Sequence, residues 1–101
     1  MKKVNSNTLS MNGAPTVVYF GAEWCSSCPV VEKYLTNSEE KFPQVQFLKV
    51  DVKEDALISE AMRVLSLPTV IFFDGNKEKS RFSGSTSAKH LISFVADYYT
   101  L

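Results

Sequence analysis

Two short runs of the sequence are almost entirely apolar. Thr16 to Phe20 and Thr69 to Phe73 are rich in β-branched and aromatic residues and too short for helices, so each predicts a strand buried on both faces of a sheet. Val45 to Val52 predicts a further strand. Asp74 to Lys77 has the composition of a hairpin turn, so the polar segment Glu78 to Phe82 is predicted to pair with the preceding strand as an antiparallel edge.

Three other stretches carry apolar residues at helical spacing. The first helix is predicted from Cys28 to about Lys41, with Pro29 in its first turn, where a missing N–H removes no hydrogen bond. The second runs from about Asp55 to Leu65, and the third begins after Thr86 or Ser87. The apolar positions at helical spacing are Val31, Tyr34, Leu35 and Phe42, then Leu57, Ile58, Ala61, Met62 and Leu65, and then Leu91, Phe94, Val95 and Tyr98.

The order of these elements predicts an α/β fold. Strand-helix-strand connections pack right-handed and parallel strands need cover, which favours a parallel central core with an antiparallel hairpin. We therefore expect one domain over residues 1–101, with a central mixed sheet of four to five strands and helices on both faces. The segment Lys2 to Val4 is a candidate edge strand.

Composition excludes several classes of protein. Apolar residues make up 45% and charged residues 22% of the 101 residues, which excludes a disordered or low-complexity chain. Eleven basic and eleven acidic residues give no net charge to attract nucleic acid. No apolar stretch reaches the roughly 20 residues that cross a bilayer, and the polar residues after Met1 do not fit a secretory signal. We expect a cytoplasmic protein and a monomer.

The two cysteines, Cys25 and Cys28, are three positions apart. A disulfide across so short a loop is a poor structural staple, and in a protein without an export signal this spacing is typical of redox chemistry or metal binding. A zinc site needs about four ligands. His90 is the only histidine, and it lies among the polar positions of the last helix. The sequence therefore favours a redox pair that needs no metal and no organic cofactor.

The position of the pair explains how it would react. Cys25 is predicted at the N-terminus of a helix, where the helix dipole and unpaired N–H groups favour the thiolate. It would attack a substrate disulfide, and Cys28, one turn further and more covered, would attack the resulting mixed disulfide and release the reduced substrate.

Phe20 to Cys28, with Leu67-Pro68-Thr69 and Phe73-Asp74-Gly75 downstream, resembles thioredoxin over about Pro15 to Val95. The resemblance implies a thioredoxin fold, with Cys25 attacking and Cys28 resolving. It also implies protein disulfides as substrates and recycling by a flavin-dependent thioredoxin reductase that uses NADPH.

The resemblance assigns further residues to the site. Trp24 would shield the disulfide and contact partners, Pro68 would be a cis-proline facing the cysteines, and Leu67 would pair its backbone with a bound substrate strand. Gly84 would keep the substrate groove open. Lys49 stands where the family keeps a lysine beside a buried aspartate.

Several positions depart from the family pattern. Tyr19 replaces the buried aspartate that helps deprotonate the resolving cysteine, Gly21 replaces the first of two tryptophans, and Ser26-Ser27 replaces Gly-Pro. Lys33 replaces a helix-kinking proline. The chain before the first core strand is short, so the usual first helix is expected to be a turn around Thr8 to Met11.

The loss of the aspartate leaves the proton of Cys28 without an obvious acceptor. Glu32 lies one helical turn beyond Cys28, and we expect it to act as the base, with Lys49 as its charge partner and Tyr19 completing the network. Two other functions stay open: a binding module that uses the scaffold to dock a partner enzyme, and a more oxidising disulfide oxidase or isomerase.

Overall fold

The structure is a computed structural model that describes residues 1–100. Within that range the strands are β1 (Lys2–Lys3), β2 (Thr16–Gly21), β3 (Gln46–Asp51), β4 (Thr69–Asp74) and β5 (Lys77–Ser83). The helices are α1 (Cys28–Ser38), α2 (Ala56–Ala61) and α3 (Ser87–Thr100), and a 3₁₀ turn over Glu39–Lys41 follows α1. None of these helices has the length and hydropathy needed to span a membrane. The predicted order of elements is confirmed, including the N-terminal edge strand.

The strands form one mixed sheet in the order β1-β3-β2-β4-β5. The strands β1, β3 and β2 are parallel, whereas β4 runs antiparallel to β2 and β5 antiparallel to β4. At the centre, Val18 of β2 lies between Leu48 and Ile71. The mixed sheet is thus confirmed. The parallel strands, which were predicted at the centre, form one side of the sheet. The long connection through α2 carries the chain across β2 and reverses its direction, which the element order alone does not reveal.

Alternate residues of the two central strands face opposite layers. Val17 and Tyr19 of β2 pack with Val70 and Phe72 of β4 beneath α1 and α3. The residues between them, Val18, Phe20, Ile71 and Phe73, pack on the other face with Ile58 of α2. Each fully buried apolar side chain of this size stabilises the fold by about 1.5 to 3 kcal/mol. Both faces are therefore covered by helices, as predicted.

Helix α2 ends four residues earlier than predicted. Arg63 has a left-handed backbone with φ of 56°, and the Val64 amide bonds to the Ser59 carbonyl over 2.9 Å, which closes the helix after Ala61. The Arg81 guanidinium of β5 donates to the Met62 carbonyl at 2.9 Å. The predicted apolar stripe is wrong at both ends: Leu65 lies beyond the end of the helix and is 95% exposed, and Leu57 lies within α2 and is 70% exposed.

The segment before β2 forms a turn, not a helix. The Leu9 amide donates to the Asn5 carbonyl over 2.8 Å, and the Asn5 side chain accepts from the Asn7 amide over 2.8 Å. The turn expected around Thr8 to Met11 thus begins a few residues earlier, because Asn5 supplies the local acceptor.

Candidate functional site

Cys25 and Cys28 are joined by a disulfide, and their Cα atoms are 5.4 Å apart. The Cys28 amide donates to the Cys25 carbonyl over 3.2 Å, so a tight turn brings the two residues together. Helix α1 begins at Cys28, with Pro29 behind it in the first turn. The first helical residue is therefore Cys28. Cys25 lies in the turn just before the helix, and not at the helix terminus as the sequence predicts.

The two sulfur-bearing residues are covered to different degrees. Cys25 is 8% exposed and Cys28 is 3% exposed. The difference is small, but it has the sign that an attacking and a resolving cysteine require. Trp24, directly before the pair, is 69% exposed, whereas the side chains of most other large apolar residues are buried.

The residues that the resemblance assigns to the substrate side are Trp24, Leu67, Pro68 and Gly84. The Leu67–Pro68 peptide bond is cis, as predicted. The Gly84 amide donates to the Pro68 carbonyl over 2.9 Å, which ties the end of β5 to the cis-proline. Pro68 is buried and Leu67 is half-buried.

Position 84 requires glycine because of its backbone conformation. Its φ is +103°, a region that side-chain-bearing residues rarely adopt, whereas a Cβ placed there would meet nothing within 4 Å. Clearance of the groove was the expected reason for this glycine. The structure adds a backbone reason that holds without any substrate.

The cleft lies behind the disulfide and has a volume of about 220 Å³. Its lining includes Cys28 and the predicted site residues Tyr19, Glu32 and Lys49, together with Gly21 and Asp51. Lys49 Nζ lies 3.0 Å from Glu32 Oε2 in a half-exposed ion pair. The structure therefore brings the residues of the predicted network to one cavity, which also has Cys28 on its wall.

Tyr19 connects the central strand to the start of α1. It is 3% exposed, and its hydroxyl donates to the Cys28 carbonyl over 3.3 Å. Burial, followed by the negative charges of Glu32 and Asp51, raises the pKa of Tyr19 to about 12. The phenol is therefore protonated at neutral pH and acts as a hydrogen-bond donor.

Gly21 and Tyr19 depend on each other. They are two residues apart on β2, so they share a face of the sheet. A Cβ on Gly21 would overlap both the hydroxyl oxygen and the ring carbon that bears it in Tyr19. The Tyr19 ring therefore occupies the space that a side chain at position 21 would need, so the two departures from the family pattern are sterically compatible with each other.

Comparison with known proteins agrees with this site. The family model for thioredoxin matches residues 2–97. Thioredoxin-2 of Saccharomyces cerevisiae is 35% identical over 72 residues, which are 71% of this chain and 69% of that protein. The crystal structure of Fasciola hepatica thioredoxin superposes with a TM-score of 0.87 at 28% identity, covering 96% of this chain and 98% of the other.

Some curated relatives are longer. The chain spans 62% of thioredoxin C-3 from Corynebacterium nephridii, at 30% identity, and 17% of monothiol glutaredoxin-S17 from Arabidopsis thaliana, at 29% identity. The family match over nearly the whole chain nevertheless defines the class of protein. The chain belongs to the thioredoxin family. It is a thioredoxin-family oxidoreductase whose redox pair is Cys25 and Cys28.

Two details of the site go beyond what the sequence predicts. The steric dependence of Gly21 on Tyr19 has a sequence signal, since two residues at spacing two on one strand share a face. The second feature is Ser27, whose hydroxyl lies 3.7 Å from Cys25 Sγ. The sequence places two hydroxyls, those of Ser26 and Ser27, between the cysteines, and the structure shows that the Ser27 hydroxyl is directed to Cys25.

Proposed function

We propose that this protein reduces disulfide bonds in other proteins. The observation that supports the proposal most is the Cys25–Cys28 disulfide at the start of α1, with the more exposed cysteine beside Trp24. In the reduced protein the Cys25 thiolate attacks one sulfur of a substrate disulfide. A mixed disulfide forms at Cys25, and the other substrate sulfur leaves as a thiolate.

The second step returns the pair to the oxidised form. Cys28 loses its proton and attacks Cys25 Sγ, so the intramolecular disulfide forms and the second substrate thiolate leaves. In total two electrons pass from the protein to the substrate. A flavin-dependent thioredoxin reductase would return two electrons from NADPH. The cycle needs no cofactor bound to this chain, and we propose that it operates in the cytoplasm, where disulfides are kept reduced.

Glu32 is the proposed base for Cys28. The support is its position on the wall of the cleft that also contains Cys28, and its ion pair with Lys49 at 3.0 Å. Tyr19 is a poor alternative, because its pKa of about 12 leaves no phenolate to accept a proton at neutral pH. Lys49 would hold the carboxylate in place, and Tyr19 would fix the turn that carries Cys28 through its bond to the Cys28 carbonyl.

The substrate side is proposed to bind an extended segment of the target protein. Trp24 would contact the target beside the disulfide, and Leu67 would pair its backbone with the bound segment. Pro68 would restrict what reaches the sulfurs, and Gly84 would form the edge of the groove. The exposure of Trp24, 69%, beside the disulfide supports its part of this assignment, because an indole offers a large apolar face and an N–H donor and is enriched at protein interfaces.

The two cysteines allow a direct test, since the chain has no others. Cys25→Ser should abolish the reduction of insulin disulfides. Cys28→Ser should accumulate mixed disulfides with target proteins, and any such link must run through Cys25. A Cys25→Ser protein that still reduced insulin would falsify the proposal.

A further inference from the structure

Arg81 of β5 uses all three nitrogens of its guanidinium group in hydrogen bonds. Nη2 donates to the Met62 carbonyl over 2.9 Å, and Nη1 donates to the Arg63 carbonyl over 3.2 Å. Nε and Nη2 also donate to the two carboxylate oxygens of Glu78 over 2.7 and 2.8 Å. Because the guanidinium is a rigid planar fork, the bidentate contact with the carboxylate orients it toward the two carbonyls. These carbonyls begin the α2–β4 connection, residues 62–68, which ends at the cis-proline.

The two carbonyls belong to the peptide groups on either side of the Arg63 Cα atom. Arg63 has a left-handed φ of 56°, a conformation that costs free energy in a residue with a side chain and persists where the surrounding structure determines it. Since φ and ψ are the only soft rotations between two planar peptide groups, holding both groups fixes both angles. Arg81 therefore sets the direction in which the chain leaves α2.

The same strand also holds the far end of the α2–β4 connection. The Gly84 amide donates to the Pro68 carbonyl over 2.9 Å, and the Ser83 hydroxyl lies 3.0 Å from the Thr69 hydroxyl. Arg81 and Ser83 are two residues apart on β5, so they share a face of the sheet. The connection is thus braced by one strand at its beginning and at its end.

We propose that Arg81 is a positioning residue for target binding, which fixes the path of the α2–β4 connection and so orients the Leu67 peptide group toward a bound target segment. The inference rests on the proposed function, in which the Leu67 backbone pairs with the target. Leu65, two residues earlier, is 95% exposed, so side-chain packing at this residue adds little rigidity. The bonds from β5 provide that rigidity instead. A strand that is already ordered loses less conformational freedom when it binds, so loss of Arg81 should weaken target binding and leave the thiol chemistry intact.

The first measurement compares a protein disulfide with a small one. We expect Arg81→Gln to raise the KM for insulin about fivefold and to change kcat less than about twofold, because the binding strand loses its order before the target arrives. Reaction with dithiobis-nitrobenzoate, which has no peptide backbone to pair with Leu67, should stay within about twofold. An equal loss with both disulfides would contradict the proposal, because the variant would then disturb the cysteines and not target binding.

Lys79→Gln is the matched control, because it removes a positive charge from the same strand. Lys79 is exposed, and its side chain makes no hydrogen bond or ion pair with the part of the chain that the structure describes. Its substitution should leave the KM for insulin unchanged. Equal rises of KM for Arg81→Gln and Lys79→Gln would overturn the proposal, since the effect would then be one of net charge, and so would an unchanged KM for Arg81→Gln.

Arg81→Lys is a second variant that carries the same test should Arg81→Gln fail to fold. Lysine keeps the charge but has a single nitrogen, so it cannot bind both carbonyls and both carboxylate oxygens. We expect it to raise the KM for insulin about threefold, because part of the bracing is lost. A KM equal to that of the unmodified protein would contradict the role of the guanidinium fork.

The second measurement records the order of the α2–β4 connection by nitrogen-15 relaxation. In Arg81→Gln the order parameters of the Leu65, Ser66 and Leu67 amides should fall from about 0.85 toward about 0.6, whereas those of β4 should not change. Unchanged values at Leu67, or an equal fall in β4, would contradict the proposal, because Arg81 would then not act on this connection in particular.

The two measurements distinguish this inference from the proposed function. Should the unmodified protein not reduce insulin, the proposed function fails and the role of Arg81 in target binding fails with it, while the order parameters still report whether Arg81 fixes the connection. Should reduction proceed and Arg81→Gln leave KM and the order parameters unchanged, the role of Arg81 fails and the proposed function holds.

Discussion

The two sides of the Cys25–Cys28 pair differ in how closely they follow the thioredoxin pattern. The residues proposed for the substrate side, Trp24, Leu67, Pro68 and Gly84, are those that the resemblance to thioredoxin implies, and two of their features are properties of the backbone: a cis peptide bond and a φ of +103°. The cleft is formed by side chains that pack on one another. A surface determined by backbone conformation admits few residue types, whereas a packed cavity accepts substitutions made in compensating pairs.

The pair Tyr19 and Gly21 shows how such compensation works. The phenol overlaps the position that a Cβ on residue 21 would occupy, so a side chain at position 21 is excluded while the Tyr19 ring lies there. Together they leave a cavity of about 220 Å³ with Cys28 on its wall. The cleft therefore departs from the pattern that the resemblance implies, whereas the proposed substrate side follows it, and three substitutions test this contrast.

Glu32→Gln is expected to have the largest effect, because it removes the proposed base and leaves the substrate side intact. Mixing the reduced protein with excess dithiobis-nitrobenzoate gives a first release from attack by Cys25 and a second, concentration-independent release from Cys28. We expect the second phase to slow about 100-fold at pH 7, in the range of general-base catalysis. The first phase should stay within about twofold.

The control for this prediction is Glu23→Gln, which changes another carboxylate on the wall of the cleft. Glu23 makes no salt bridge to Lys49 within the described residues, whereas Glu32 does at 3.0 Å. Glu23→Gln should leave both phases unchanged. Identical second phases for Glu32→Gln and the unmodified protein between pH 6 and 8 would exclude Glu32 as the base.

Gly21→Ala tests the packing of the cleft. The added methyl must displace the Tyr19 ring, and overpacking of this kind costs about 2 kcal/mol of unfolding free energy. The Tyr19 bond to the Cys28 carbonyl should be lost with it. In a Tyr19→Leu background, where the phenol is absent, the same substitution should cost at least about 1 kcal/mol less. Additive losses in urea unfolding would show that the two positions are independent.

Trp24→Ala tests the substrate side alone. The indole is largely exposed, so we expect the unfolding free energy to change by less than about 0.5 kcal/mol. The KM for a protein disulfide should rise about tenfold, because an aromatic anchor at an interface is lost, while reaction with dithiobis-nitrobenzoate stays unchanged. Leu57→Ala, at an equally exposed residue of α2, is the control. A similar rise of KM for both variants would remove the special role of Trp24.

The sequence predicts the parts of this molecule that depend on short-range pattern. The apolar runs of β2 and β4 and the turn before β5 carry clear signals, and the residues around the cysteines carry the family resemblance. The end of α2 was not predictable in this way. Met62 and Leu65 continue the helical spacing, but Arg63 takes a left-handed conformation and Arg81 of the distant β5 binds the Met62 carbonyl. Such tertiary contacts have no local signature.

The candidate site also contains residues whose contacts the sequence predicts and residues whose contacts it does not. Glu32 and Lys49 were expected to pair because helical spacing and a strand position place them on facing elements, and their ion pair at 3.0 Å is present. The direction of the Ser27 side chain carried no comparable signal in the sequence. Its side chain is directed to Cys25 because its backbone is helical at a position that is usually extended, and a dihedral angle of this kind is not encoded in residue type alone.

The direction of electron flow is the central claim, and the redox potential of the Cys25–Cys28 pair tests it most directly. The oxidised and reduced forms are equilibrated in a series of glutathione and glutathione disulfide ratios at pH 7, and the free thiols are counted after acid quenching. We expect a potential close to that of general protein reductants, about −270 mV. A potential near about −120 mV would contradict the account, because such a pair oxidises thiols and does not reduce protein disulfides.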